Sequence, residues 1–491
     1  MSRTNSSSLR QPLGLVLVAG LVLSIGACDG GSASSASASA VQATTTVAPP
    51  DASTGTPSGT PTGTPTDGAT ATSSLTPLRA PVIARAVPKS LFGLHVLSGT
   101  PAVTAGSWRL WDTGTQWAQL NPARGRYTWS HLDDVVAKGK RLGVKDFILV
   151  LGLTPRWASS RPSEVLPWDP SASPAPPKDI AYFDQYVAAV VAHNRTVLGG
   201  AITGIQVWNE ANLAMFWSGT PQQMALMTAH VDRIVKAEDA RYPTSARRHT
   251  TVVAPSVTLR RGSLAWGTGS CSLARWHDAC FAGRYLAALK KVRGAGNRMW
   301  PVDAFAVHAY PAPQGSPNDR VAMIGLFRDR LREAGAPTRP LWDTEVNYGF
   351  AGTVISGSRA VQYVARTYLD SVRINVGRVY WYGWGPLSPG LAGITMDRGT
   401  SAAGAYATVQ GWLRGSVFRG CTVTSGVRSC AFTVASGSSV RRFRVLWTDY
   451  GVHSVSVSPT VPVWRMNSRG TAVRALGSTT VRVGPTPIKV G

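Results

Sequence analysis

"GIQVWNEAN", residues 204–212, runs from a glycine through isoleucine, valine and tryptophan into an amide, a carboxylate and a second amide. The apolar and β-branched residues favour a buried strand, and Asn209-Glu210 leaves it at its C-terminal end. Glutamate is scarce here: Glu164, Glu210, Glu238, Glu333 and Glu345 are the only five in 491 residues. Glu238 and Glu333 lie in helical patterns and Glu164 in a proline-rich loop. Glu345, in "RPLWDTEVNYG", repeats the Glu210 arrangement, with an apolar strand followed by a short polar exit. Two of the few glutamates therefore terminate strands.

Working outward, apolar runs alternate with helical segments from residue 90 onward, the pattern of a parallel α/β architecture. Strands are expected at 91–97, 107–112, 146–153, 201–209, 250–258, 302–310, 339–346 and 378–384. Eight strands, seven intervening helical regions and a terminal helix at "GAYATVQGWLRG" predict a (β/α)8 TIM barrel over 81–414. A doubly wound open sheet is the alternative, and the lack of a glycine-rich phosphate loop after the first strand argues against it. After residue 415 short β runs separated by Gly, Ser and Pro predict a small antiparallel β-sandwich over 415–491.

In such a barrel the C-terminal strand ends share one pocket. The polar residues placed there are His95, Arg109, Asp112, Asn209, Glu210, His308, Tyr310 and Glu345. Trp111, Trp157, Trp217, Trp381 and Trp384 stand at strand ends or in adjoining loops. Carboxylates, an arginine, histidines and indoles together suit a sugar, whose CH faces pack on indoles and whose hydroxyls need fixed partners.

On these residues the sequence resembles the clan A glycoside hydrolases, in particular family 39-like and family 5-like bacterial proteins. The resemblance matches Asn209-Glu210 to the acid/base pair ending the fourth strand and Glu345 to the nucleophile ending the seventh. It matches His308-Ala-Tyr310 to a sixth-strand motif, Trp381 to an eighth-strand tryptophan and Arg109 to a second-strand arginine. "WRLWDTGTQWAQLNPARGRYTWSHLD" is similar to the family 39 stretch that follows the second strand. Ala211 departs from the proline that many relatives carry after the acid/base. The resemblance implies a retaining glycosidase that needs no cofactor or metal, with a poly- or oligosaccharide substrate. In it Asn209 would bind the sugar 2-hydroxyl, Tyr310 and Arg109 would keep Glu345 ionised, and His308 would orient Glu210 or substrate. A non-catalytic glycan-binding protein and a transglycosylase using the same residues are the alternatives.

The first residues read as an export leader. Two arginines precede the apolar run "PLGLVLVAGLVLSIGA", and Cys28 follows small residues as in a bacterial lipobox. Residues 1–27 are thus expected to be a lipoprotein signal peptide, with Cys28 lipidated and the protein anchored to the outer face of the cell membrane. An ordinary secretory signal is the other reading. Residues 28–80 are nearly all Ser, Ala, Thr, Gly, Pro and Asp, a composition that stays disordered and acts as a tether. The other cysteines form two pairs nine residues apart, and local disulfides Cys271–Cys280 and Cys421–Cys430 are expected from three possible connectivities. A formal charge of +25 comes from arginine scattered along the chain, with no nucleic-acid-binding pattern. It reflects either an arginine-rich genome or attraction to anionic wall polymers and headgroups.

Overall fold

Period-two alternation in the strands sorts side chains between a barrel interior and a helix-facing layer. A computed structural model of the protein describes residues 85–241, 249–259, 280–388 and 390–491. The leader, Cys28, the tether and Cys271 lie outside the described residues. The barrel strands are β1 (Phe92–Val96), β2 (Ser107–Leu110), β3 (Asp146–Val150) and β4 (Ile202–Gln206). They continue as β5 in two pieces (Thr251–Val253 and Val257–Thr258), β6 (Phe305–His308), β7 (Leu341–Val346) and β8 (Val376–Trp384). All pair in parallel with their sequence neighbours, and β8 pairs with β1. The first piece of β5 pairs with β4 and the second with β6, which closes the ring.

Ile148, Val253, Ala304, Ala306, Trp342 and Tyr380 fill the interior below the pocket. Gly93 makes room for this layer, since a Cβ there would lie 2.4 Å from the Tyr380 ring. The odd residues of β6, Phe305 and Val307, instead join the larger core under the surrounding helices.

The helices are Ser130–Arg141, Ile180–Thr196, Pro221–Ala240, Phe281–Leu289, Pro317–Glu333, Gly357–Arg373 and Ser401–Leu413, besides a single turn at Trp117–Leu120. One expected helix is missing. Between β1 and β2 the chain runs as a loop over 97–106, a segment too short and too rich in Gly and Pro for a packed helix. Gly106 closes that loop against the backbone, where a Cβ would sit 1.7 Å from the Lys89 carbonyl oxygen.

The C-terminal region forms two antiparallel sheets, one of six strands and one of two. Val427, Leu446, Val463, Val481, Val483 and Ile488 pack between strands of the two sheets. The opposite face of the larger sheet, with Phe418, Phe432, Phe443 and Trp447, joins the barrel core. Arg366, on helix Gly357–Arg373, seals that junction: its guanidinium lies over Trp447 and pairs with the buried Asp370 and with Asp449. Cys421 and Cys430 are directly opposite on the first two strands of this sheet, Val417–Thr424 and Val427–Ser436, and form the expected disulfide. The hairpin turns at Ser425-Gly426, both with positive φ, as a two-residue turn matched to strand twist requires.

Candidate active site

Arg109 points inward from β2 and is fully buried. Its Nε donates to Gln206 Oε1 (2.7 Å), one terminal nitrogen to Glu345 Oε1 (2.7 Å) and the other to Asn209 Oδ1 (2.8 Å). One planar fork thus ties the ends of β2, β4 and β7 together, a geometry lysine cannot supply. Tyr310 Oη donates to the second oxygen of Glu345 at 2.9 Å. Both oxygens of Glu345 accept from donors, the surroundings of an acceptor-only carboxylate.

Glu345 reaches the pocket through an irregularity. Asp343 and Glu345 are two residues apart and in a regular strand would face the same way. Asp343 instead turns toward the helices, where it pairs with the buried Arg320, while Glu345 turns inward. The register of β7 shifts against both neighbours between these positions, a bulge that re-aims one side chain.

Glu210 leaves β4 with φ at 38°, in the left-handed region that a side chain adopts only where its surroundings fix it. The break in β5 supplies that fixation. At Ala254-Pro255-Ser256 the strand leaves the ladder, and Ser256 Oγ accepts the Glu210 N–H at 2.9 Å. The Ser256 backbone adds bonds to Trp208 and Ala211, both 3.0 Å. Asn212 completes the join through paired bonds with Thr258.

His308 Nδ1 lies 2.9 Å from Glu210 Oε1 and 3.4 Å from Glu345 Oε2, between the two carboxyls. Glu210, His308 and Glu345 each offer one atom within 4.8 Å of the others. Such a trio has the donors for a metal, but both oxygens of Glu345 already accept protein hydrogen bonds, from Arg109 and Tyr310. Glu210 and Glu345 remain slightly open, at 9% and 6% exposure, so a substrate can reach them. His95 Nε2 lies 3.0 Å from the Thr344 carbonyl oxygen and 3.3 Å from a terminal nitrogen of Arg109. Burial and then the Arg109 charge hold its pKa well below the usual histidine value, so the ring is neutral.

Asp112, just past β2, is exposed, and its Oδ2 accepts the Tyr382 hydroxyl at 2.8 Å. The surrounding walls and then the Glu345 charge push its carboxyl up to about 7, against the Tyr382 hydrogen bond and Arg109, with Glu210 adding to the rise. Opening to solvent softens the first of these effects.

No family model matches the chain. A beta-xylosidase of Geobacillus stearothermophilus is 25% identical over 272 residues, which are 50% of this chain and 47% of that protein. The chain thus spans about half the length of the curated relative it matches. A family 39 glycoside hydrolase from the gut symbiont Bacteroides cellulosilyticus superposes with a TM-score of 0.55 at 16% identity, covering 82% of this chain and 80% of that one. A family 39 beta-xylosidase from Caulobacter crescentus gives 0.54 at 16% identity, covering 84% and 97%. The fold is the one seen in these family 39 glycoside hydrolases.

Within this barrel the predicted polar residues Arg109, Asn209, Glu210, His308, Tyr310, Glu345 and His95 come together at one pocket. The tryptophans do not. Trp381 is fully buried and faces the helix layer, 6.3 Å from the Tyr348 ring. By strand alternation the inward residues of β8 are Tyr380 and Tyr382, and Tyr382 is the aromatic that meets Asp112, His95 and Tyr310. Trp384 is buried at the strand end, and Trp217 is buried edge-on against Trp208 with its Nε1 donating to the Thr220 carbonyl. Neither offers a face to a sugar. Trp157 is half-buried beside a groove of about 670 Å³ that also includes Arg156 and Lys178, and its Nε1 donates to the Asn121 carbonyl. Sequence reasoning missed Tyr382, Gln206 and Ser256. Alternation along "RVYWYGW" would have found the first; the other two are ordinary residues whose roles depend on distant partners.

Proposed function

We propose that the chain is a retaining glycoside hydrolase, with Glu210 as acid/base and Glu345 as nucleophile. One observation carries this reading: an oxygen of Glu210 and one of Glu345 lie within 4.8 Å of each other, both beside His308 Nδ1. Retaining enzymes hold their two carboxyls about 5–5.5 Å apart, whereas inverting ones leave room for water at about 6.5–9.5 Å.

The donors differ in the way the two roles demand. Glu345, with Arg109 and Tyr310 on its oxygens, attacks the anomeric carbon and forms the glycosyl-enzyme bond as the Glu210 proton passes to the leaving oxygen. Glu210 then takes a proton from water, which attacks the same carbon and releases Glu345. His308 Nδ1–H orients Glu210 between the two steps. Asn209, fixed by Arg109, donates its amide N–H to the sugar 2-hydroxyl, a contact that strengthens as positive charge develops on the ring. A β-linked xyloside is the first substrate to try, because the matched curated protein and one structural neighbour are beta-xylosidases. Proton NMR of the first-formed sugar tests the reading: the anomer of the substrate is expected, and the opposite anomer would exclude it.

The leader motif supports a further part of the proposal, export and lipid anchoring at Cys28. Cys28→Ser should release the protein from the membrane fraction and abolish acyl labelling; labelling that persists would refute the anchor.

A further inference from the structure

Asp112 differs from every other charged group at the pocket. Arg109, Glu345 and Glu210 are buried and committed to protein partners, whereas Asp112 is exposed and only its Oδ2 is bonded, to Tyr382. Among the described residues Oδ1 has no hydrogen-bond partner and no cation lies within ion-pairing distance. The Tyr382 ring that holds it stacks edge-on with His95 at 5.1 Å and with Tyr310 at 6.5 Å, and Tyr310 bonds Glu345. Asp112 is therefore fixed to the same wall as the Glu345 carboxylate while keeping an acceptor open to solvent.

We propose that Asp112 is a substrate-binding residue that accepts hydroxyl protons of the sugar held at Glu345, and that it selects uncharged glycosyl units over uronates. This rests on the glycosidase reading above. The Arg109 charge offsets that of Glu345, its ion-pair partner at 2.7 Å. When ionised, Asp112 adds a negative charge that no cation offsets among the described residues, although the chain carries a formal charge of +25. A hydroxyl donated to Oδ1 replaces water with a charge-assisted bond. A uronate carboxylate would instead meet like charge: two such charges about 6 Å apart at an effective dielectric near 20 repel by an amount on the order of a hundred-fold in affinity.

The test compares matched 4-nitrophenyl glycosides, glucoside with glucuronide and galactoside with galacturonide, plus the xyloside, using wild type, Asp112→Asn and Tyr382→Phe. Wild type should prefer the neutral member of a pair. Asp112→Asn should lower kcat/KM on neutral glycosides by about ten- to hundred-fold, chiefly through KM, and shrink the neutral preference at least about ten-fold. Tyr382→Phe, which frees Asp112 but keeps its charge, should raise KM while retaining the preference, so the assignment stays testable if the first variant folds poorly. A wild-type preference for the uronide, or an unchanged ratio in Asp112→Asn, would overturn it. If Glu345→Gln abolishes hydrolysis while the ratio is unchanged, only the Asp112 assignment falls; if wild type cleaves none of the glycosides, both fall.

Discussion

Ser256 Oγ accepts the backbone N–H of Glu210 at 2.9 Å, across the gap where β5 leaves the barrel ladder. The barrel gives up regular pairing at that point and gains a fixed position for a carboxylate whose backbone is in the left-handed region. Ser256→Ala would leave that N–H without this acceptor in a buried turn. A loss of about 1–3 kcal/mol in unfolding free energy is expected. Turnover should fall as well, with kcat affected more than KM, because Glu210 would no longer be held against His308. Urea unfolding together with steady-state kinetics checks both. Unchanged kcat with reduced stability would show that the bond serves the fold alone.

The Asp112 carboxyl gives stability a pH dependence of definite sign. Its folded pKa is raised from 3.8 to about 7, so the folded state binds its proton more tightly than the unfolded chain does. The contribution is fully present below 3.8 and is lost as pH rises through about 7. Asp112 faces Glu345, Tyr382, Arg109 and Glu210, and its neutral form is favoured first by the surrounding walls and then by the charges of the two glutamates. The thermal midpoint of Asp112→Asn relative to wild type should therefore climb across that window. A difference that stays flat, or falls with pH, would contradict the assignment.

The Cys421–Cys430 bridge joins directly opposed residues of one hairpin and closes a loop with a sequence separation of 9. Loop-closure entropy for so short a ring is worth about 2–3 kcal/mol. Replacing both cysteines with serine should lower the unfolding midpoint accordingly and leave kcat/KM within about two-fold, since the hairpin belongs to the C-terminal sheets. A large loss of activity would show that the sandwich shapes the pocket.

The eight strands and the convergence of Glu210 with Glu345 were legible because both follow from local pattern: apolar runs of strand length and polar residues at their C-terminal ends. What the pattern could not carry was side-chain direction near those ends. Glu345 faces inward only because β7 bulges beside it, and simple alternation would have put it with Asp343 against the helices. The indoles misled for the opposite reason. Indoles at strand ends suggest a sugar platform, but Trp217, Trp381 and Trp384 are large apolar surfaces and were drawn into the core between barrel and helices. Tyr382, which keeps a polar tip at the pocket, was passed over beside Trp381. Ser256 gave no signal, because its value lies in an amide 46 residues away in the chain.

The division of labour between the two glutamates is tested most directly by trapping the covalent intermediate. A 2-deoxy-2-fluoro glycoside with an activated leaving group slows both steps by withdrawing electrons from the developing cation, and the leaving group restores the first. The protein should gain the mass of one fluorosugar, and peptide sequencing by mass spectrometry should place it on Glu345 in "LWDTEVNYG". A label on Glu210 or Asp112, or steady turnover of the parent glycoside with inversion and no adduct, would contradict the account.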